Sequence, residues 1–118
     1  MAITVTNPAV GTFGFFANGV SADASGVEQI KAGVAGKSIY LDHLTISSDS
    51  AISISIGMGE TVPGAIDTVL LGPIPFAINQ QMQWTFLNGG MKLTTAKALV
   101  VEASGAGNVN IFVSGRIM

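Results

Sequence analysis

Apolar and polar residues alternate along most of this 118-residue chain. The alternation is clearest at residues 3–6, 52–56, 81–86 and 109–117. Successive side chains of a β-strand point to opposite faces, so a period of two predicts strands with one apolar face. Serine and threonine fill many of the polar positions, and both can form hydrogen bonds across strands. The chain is therefore predicted to be all-β.

Short turn sequences separate these runs. Turn-forming residues occur at Asn7-Pro8, Asn18-Gly19, residues 59–68, Asn88-Gly89-Gly90 and residues 105–108. The link Ser48-Asp49-Ser50, between Ile46 and Ile52, predicts a hairpin. Frequent turns between short strands indicate a sandwich or barrel, and a jelly-roll-like antiparallel β-sandwich of about eight strands suits this length.

One predicted strand breaks the alternation. In residues 37–48, the apolar residues Ile39 and Leu41 occupy odd positions, whereas Leu44 and Ile46 occupy even positions. Either a β-bulge near Asp42-His43 or a strand buried on both faces would explain the change.

Residues 27–34 are ambiguous between helix and strand. Ser25 could cap a short helix with Glu28 three residues further on, but Gly33 and Gly36 would end it at once. A strand is the favoured interpretation here.

Charge is scarce, because only 10% of the residues are charged, against about 25% in an ordinary domain. Low charge fits either a membrane protein or a subunit that hides its surface in an assembly. The most apolar stretch, residues 69–78, is interrupted by Gly72, Pro73 and Pro75, and a spanning helix needs about 20 apolar residues. Eight aromatic residues are too few for the girdles of a membrane barrel. Assembly is therefore the favoured explanation, and no membrane partner is expected.

Length and composition narrow the class further. The 118 residues suit a single domain, 1–118, and the absence of cysteine excludes disulfides and thiolate metal sites. The first residues show no basic segment followed by an apolar one, so synthesis in the cytoplasm without a signal peptide is expected. A net charge of −2 with five scattered basic residues argues against nucleic-acid binding.

The residues give little support for catalysis. His43 is the single histidine, and its neighbour Asp42 should face the opposite way on a strand unless a bulge intervenes. Acidic residues occur singly, so no calcium loop or histidine-carboxylate metal centre is predicted. Spacing leaves open a pair of carboxylates for glycoside chemistry, since strands can bring distant residues together. The prediction is no enzyme, no catalytic residue, no metal and no cofactor.

Association is predicted instead. Proline cannot donate a ladder hydrogen bond, so Pro73 and Pro75 place the apolar stretch around them at an edge or bend. An apolar edge invites contact with another chain. Trp84 shares its parity with Met82 and Phe86 and is expected in the core or between subunits. The candidate interface residues are Phe13, Phe15, Phe16, Pro73, Ile74, Pro75, Phe76 and Trp84.

Residues 37–116 resemble the small jelly-roll capsid decoration, or cement, proteins of tailed bacteriophages. The resemblance is carried by GKSIYLDHLTISS at 36–48 with the Ile/Ser alternation up to Gly57, by LTTAKALVV at 93–101 and by GNVNIFVSG at 107–115. It implies a homotrimer on the outside of the virion that clamps subunits of the major capsid protein, with no catalytic residues. It also suggests residues 1–18 as an N-terminal arm that contacts a neighbour.

Related small jelly rolls also occur in phage tails and spikes. The alternative function is therefore a receptor- or carbohydrate-binding module, in which Trp84 or Tyr40 could stack against a sugar.

Overall fold

The computed structural model describes residues 3–6, 14–21, 26–59, 66–87 and 89–118, with side chains from residue 27 onward. These ranges form ten strands: β1 (Ile3–Thr6), β2 (Gly14–Ser21), β3 (Gly26–Lys31), β4 (Ile39–Ser48), β5 (Ser53–Gly59), β6 (Thr68–Pro75), β7 (Gln80–Thr85), β8 (Met91–Lys92), β9 (Ala98–Ala103) and β10 (Val109–Ile117). The predicted all-β class is confirmed. In the described ranges no helix is long and apolar enough to cross a membrane.

The strands form two antiparallel sheets. One has six strands in the order β1-β2-β10-β4-β7, with β8 also paired to β4, and the other has the order β3-β9-β5-β6. The pairs are nested along the chain, since β5 pairs with β6, β4 with β7, β3 with β9 and β2 with β10. Such nesting is what results when one long hairpin is wrapped into two layers, which is the jelly-roll arrangement. The predicted jelly-roll sandwich of about eight strands is confirmed, with β1 and β8 as short additions.

The core lies between the sheets and follows the alternation read from the sequence. Leu44 and Ile46 of β4 and Ile111 and Val113 of β10 are all 0% exposed, and Ile54 of β5 faces them at 0%. The polar residues between them, such as Asn110 on β10, lie on the surface. Because β4 and β10 each have one apolar face, the two sheets bury those faces against each other.

The predicted bulge in β4 is present. Ser114 of β10 pairs with His43, but the next residue, Gly115, pairs with Leu41, so Asp42 is the extra residue. The inserted residue reverses the parity of the strand, and Leu41 and Leu44 are consequently both 0% exposed. The alternative, a strand buried on both faces, is wrong, because His43 is exposed.

Residues 26–31 form β3, which confirms the strand interpretation. Its Ile30 is buried at 2% and belongs to the core. A register shift lies between Gln29 and Lys31 where β3 pairs with β9.

Two predicted turns are wrong. The link Ser48–Ser50 does not close a hairpin, because β4 lies in the six-stranded sheet and β5 in the four-stranded one. Asn18-Gly19 lies inside β2, where Asn18 pairs with Phe112 and Gly19 with Ile111. In both places the pairing with distant strands outweighs the local turn preference of the residues.

Candidate functional site

One segment of the chain without a charged residue supplies an edge strand to each sheet. The sequence has none from residue 68 to residue 91, a stretch that contains β6 and β7. β6 ends the four-stranded sheet and β7 ends the long path of the six-stranded one. The link between them, residues 76–79, spans at most about 17 Å, and packed sheets lie about 10 Å apart, so these two edges are neighbours. We call residues 68–87 the uncharged side.

The uncharged side exposes large apolar residues. Leu87 is 77% exposed, Ile78 is 67% exposed and Val69 is 48% exposed. Among the large hydrophobic residues whose side chains are described, only the last residue, Met118 at 50%, is comparably exposed. Pro73 and Pro75 of β6 are exposed as well. Large exposed apolar residues on a segment without charge favour contact with another protein.

The predicted interface residues divide between this surface and the core. Pro73 and Pro75 lie on the surface of the uncharged side. Ile74 and Trp84 belong to the same side but are half-buried and pack against the core. Phe76 is 4% exposed and is part of the core, where its N–H donates to the carbonyl of Ile52. Residues 68–87 thus bring five of the eight candidates together, and two of these five are well exposed.

The aromatic candidates near the start of the chain lie elsewhere. Phe13 is outside the described residues. The backbones of Phe15 and Phe16 lie in β2, opposite Gly115 and Ser114 of β10. The described parts of residues 1–18 are strands of the chain's own six-stranded sheet. A contact of this stretch with a neighbour stays a prediction.

A polar cleft of about 350 Å³ lies at one end of the six-stranded sheet. It is lined by Ser47, Ser48, Asp49, Asn79, Gln80, Gln81, Asn108 and Asn110. Asp49 is its single charged residue, and all the others are neutral hydrogen-bonding groups. Such a lining suits a neutral polyhydroxylated ligand better than an ion.

Asp49 is held in this cleft by two neighbours. Its Oδ1 accepts hydrogen bonds from Ser50 Oγ at 2.7 Å and from the N–H of Asn108 at 2.8 Å. Its Oδ2 accepts from Asn108 Nδ2 at 2.6 Å. The Ser50 hydroxyl, followed by the backbone and side-chain N–H groups of Asn108, holds the pKa of Asp49 below its ordinary value. The carboxylate is therefore ionised and fixed in orientation.

A second cluster surrounds Tyr40. Lys92 Nζ lies 5.9 Å and Arg116 Cζ lies 5.4 Å from the centre of the Tyr40 ring, within cation–π range. Arg116 Nη2 also lies 3.5 Å from Asp42 Oδ1 and donates to the carbonyl of Gly89. The contacts of Tyr40 with two cations leave its ring less open to a sugar than the sequence suggested.

The bulge does not bring Asp42 and His43 together as a hydrogen-bonded pair, because each contacts a different residue. His43 Nδ1 lies 3.3 Å from Thr85 Oγ1, whereas Asp42 contacts Arg116. In the described residues no group of three or more histidines, cysteines and acids could hold a metal ion.

Neither the family models nor the curated proteins nor the solved structures with which we compared the chain gave a match.

Sequence reasoning missed two features of this surface. Leu87 lies outside every predicted site and Ile78 only ends the apolar stretch 69–78, although the absence of charge from 68 to 91 is visible in the sequence. The contact between Asp49 and Asn108 joins residues 59 positions apart, and no local pattern signals it.

Proposed function

We propose that this chain is a structural virion protein, a decoration protein that binds the outside of a phage capsid and stabilises the shell. Its partners would be copies of itself, as a homotrimer, and the major capsid protein. The observation that carries the proposal is the uncharged side, residues 68–87, where Val69, Ile78 and Leu87 are 48%, 67% and 77% exposed. The jelly-roll strand order and the resemblance of residues 37–116 to the decoration family support it.

The mechanism follows from the surface chemistry. Apolar surface that contacts a neighbour only in the assembled shell contributes about 25 cal/mol per Å², so a few hundred Å² contributes several kcal/mol. Ordering of side chains and loss of rigid-body freedom reduce that amount. Several attachment points on one oligomer raise its occupancy on the shell, because later contacts form at high effective concentration.

Capsids that lack this protein test the proposal. Adding the purified protein to expanded shells should raise their melting temperature in scanning calorimetry. Val69→Glu puts a charge on β6 of the uncharged side and should weaken both binding and the rise in melting temperature. Val34→Glu is the matched control, since Val34 is 39% exposed but lies between β3 and β4. Shells that neither bind the protein nor melt at a higher temperature with it would contradict the proposal.

The polar cleft supports a second candidate function, a receptor- or carbohydrate-binding module of a phage tail or spike. Asp49 and Asn108 are fixed there by hydrogen bonds to each other, and Gln80 Oε1 accepts from the N–H of Ala77 at 2.7 Å. Groups that are held in place before a ligand arrives lose less entropy on binding it.

A glycan array followed by two glutamine variants tests this candidate. Gln81 lines the cleft, whereas Gln83, two residues further along β7, does not. Gln81→Ala should reduce binding to any glycan found, and Gln83→Ala should not. An array without binding, or equal losses in both variants, would count against the cleft as a glycan site.

A further inference from the structure

The edge strands of the two sheets differ in how they are protected against pairing with another chain. Soluble proteins protect such edges with proline, charge, bulges or short length. β6 is protected by prolines at 73 and 75, and β3 is protected by the charged residues Glu28 and Lys31 and by a register shift. β8 and β1 are protected by their short length of two and four residues, and β8 also contains Lys92. β7 has six residues, Gln80–Thr85, without proline or charge. Its register with β4 runs unshifted from His43 to Ser48.

The outer hydrogen-bonding groups of β7 are available for a further strand. The N–H of Phe86 donates to the carbonyl of Asp42 on β4 at 2.9 Å. Residues of an antiparallel strand alternate between bonding one neighbour and the other, so Trp84 and Met82 also bond β4. Gln81, Gln83 and Thr85 therefore direct their N–H and C=O groups away from the sheet, and in the described chain β4 is the only strand paired with β7.

We propose that β7 pairs with β7 of a second copy of this chain, antiparallel about a twofold axis at Gln83. Gln83 then lies opposite the partner's Gln83, Gln81 lies opposite the partner's Thr85, and Thr85 lies opposite the partner's Gln81. About six backbone hydrogen bonds form, because each of these three facing pairs exchanges two. Facing glutamine side chains can also bond each other, since every amide is both donor and acceptor. No charged residue of β7 opposes the pairing.

The flanks of β7 indicate a second copy as the partner. Ile78 and Leu87, the two large apolar residues with the highest exposure among the described side chains, lie just beyond opposite ends of this strand. An antiparallel twofold pair reverses one strand against the other. Position 79 then lies opposite the partner's position 87, so Ile78 of one copy and Leu87 of the other come to the same end of the contact, and the twofold axis repeats this at the other end.

The size of the contact indicates its strength. A standard interface has roughly 20–30 residues a side, and a specific one clears about 1,000 Å² in total. Residues 77–87 supply eleven a side, so the contact is at the small end of the range. The pairing should form a dimer that dissociates on dilution. It does not depend on the capsid proposal, and a threefold contact elsewhere on the chain, with its axis meeting the twofold axis at a right angle, would combine with it into a hexamer.

Sedimentation of the purified protein tests the pairing across about 1 to 100 μM, a range suited to a micromolar dissociation constant. The wild type should reach twice the chain mass of 12.0 kDa, or six times that mass if a threefold contact also forms. Gln83→Pro removes an N–H that points away from β4. The hydrogen bonds between β7 and β4 therefore remain, while the twofold contact loses a donor and is blocked. Its dissociation constant should rise at least about tenfold.

Two further variants keep the test independent of folding. Leu87→Ser should weaken the dimer without altering the β7 backbone. Val34→Lys introduces a charge at a 39% exposed residue between β3 and β4 and should leave the dimer unchanged. A monomer at the highest concentration, a trimer alone, or an oligomer that folded Gln83→Pro leaves intact would each overturn the pairing. A dimer that does not bind capsids would overturn the decoration proposal instead.

Discussion

Gly57 of β5 shows how a single atom can decide local packing. A Cβ built on Gly57 would lie 2.5 Å from the carbonyl oxygen of Thr68, and closer still to Ile66 Cγ2. The register of β5 with β6 shifts at this point. Ile66 and β6 therefore approach β5 only because position 57 has no side chain.

Gly57→Ala should destabilise the fold by about 1–3 kcal/mol, because backbone and a branched side chain must move to admit the methyl group. Gly105→Ala is the control, since its nearest atom would be Ile52 Cγ2 at an ordinary 3.4 Å. That variant should stay within about 0.5 kcal/mol of the wild type in urea unfolding. Equal losses in the two variants would contradict the steric account.

Asp49 makes the stability of the fold depend on pH. Its carboxylate accepts from Ser50 and Asn108, and its pKa in the folded chain lies below the ordinary value of about 3.9. A lowered folded pKa stabilises the fold fully above the unfolded value, and that contribution is lost as pH falls through the folded value.

Asp49→Asn should therefore be less stable than the wild type at neutral pH, and the difference should shrink below about pH 4. Melting temperatures of both proteins between neutral pH and acid measure this. A difference that stayed constant throughout would show that the hydrogen bonds to the ionised carboxylate are not its source.

At the scale of elements, β4 organises the six-stranded sheet. It pairs with β10 on one side and with β7 and β8 on the other. Its bulge at Asp42 keeps the core face continuous from Leu41 to Leu44, and the opposite face carries His43 and Thr45. One strand thus fixes both the packing of the core and the position of the β7 edge.

Leu44→Ala should cost about 2–5 kcal/mol, because Leu44 is 0% exposed and its removal leaves a cavity between the sheets. Thr45→Ala changes the adjacent, half-buried residue on the other face and should cost less than about 1 kcal/mol. Guanidinium unfolding of the two variants measures the difference. Similar losses would mean that β4 does not have a single core face.

At the scale of the whole molecule, the nested pairing predicts an order of folding. β5 and β6 are separated by residues 60–67, whereas β2 and β10 pair residues as far apart as Gly14 and Arg116. Closing a longer loop costs more entropy. The innermost pair should form early and the outermost pair late, with refolding in the range of milliseconds to seconds.

Ile54→Val in β5 should therefore show a higher φ-value than Ile111→Val in β10. Both residues are 0% exposed and the same methyl group is removed, so the comparison is matched. Stopped-flow refolding and unfolding of the two variants give the values. A larger φ-value at Ile111 would place the folding nucleus in the outer pairs.

The uncharged side depends on the whole molecule as well. The charge-free run from 68 to 91 is a property of the sequence, but it becomes one surface because β6 and β7 end their respective sheets. The prediction of Pro73 and Pro75 at an edge is confirmed by that position. Their role in binding a neighbour stays a prediction.

The sequence by itself determined most of the strands, their buried faces and the break in alternation near Asp42, because alternation is a local property that each strand carries alone. The tertiary structure decided which strands pair. It made Ser48–Ser50 a crossing between sheets, placed Asn18-Gly19 inside β2 and brought Asp49 to Asn108. A strand with one apolar face satisfies its hydrogen bonds equally well beside any similar strand, so local pattern cannot choose its partner. The pairing partners are fixed only when all ten strands pack together, and this packing places β6 and β7 at the edges of their sheets.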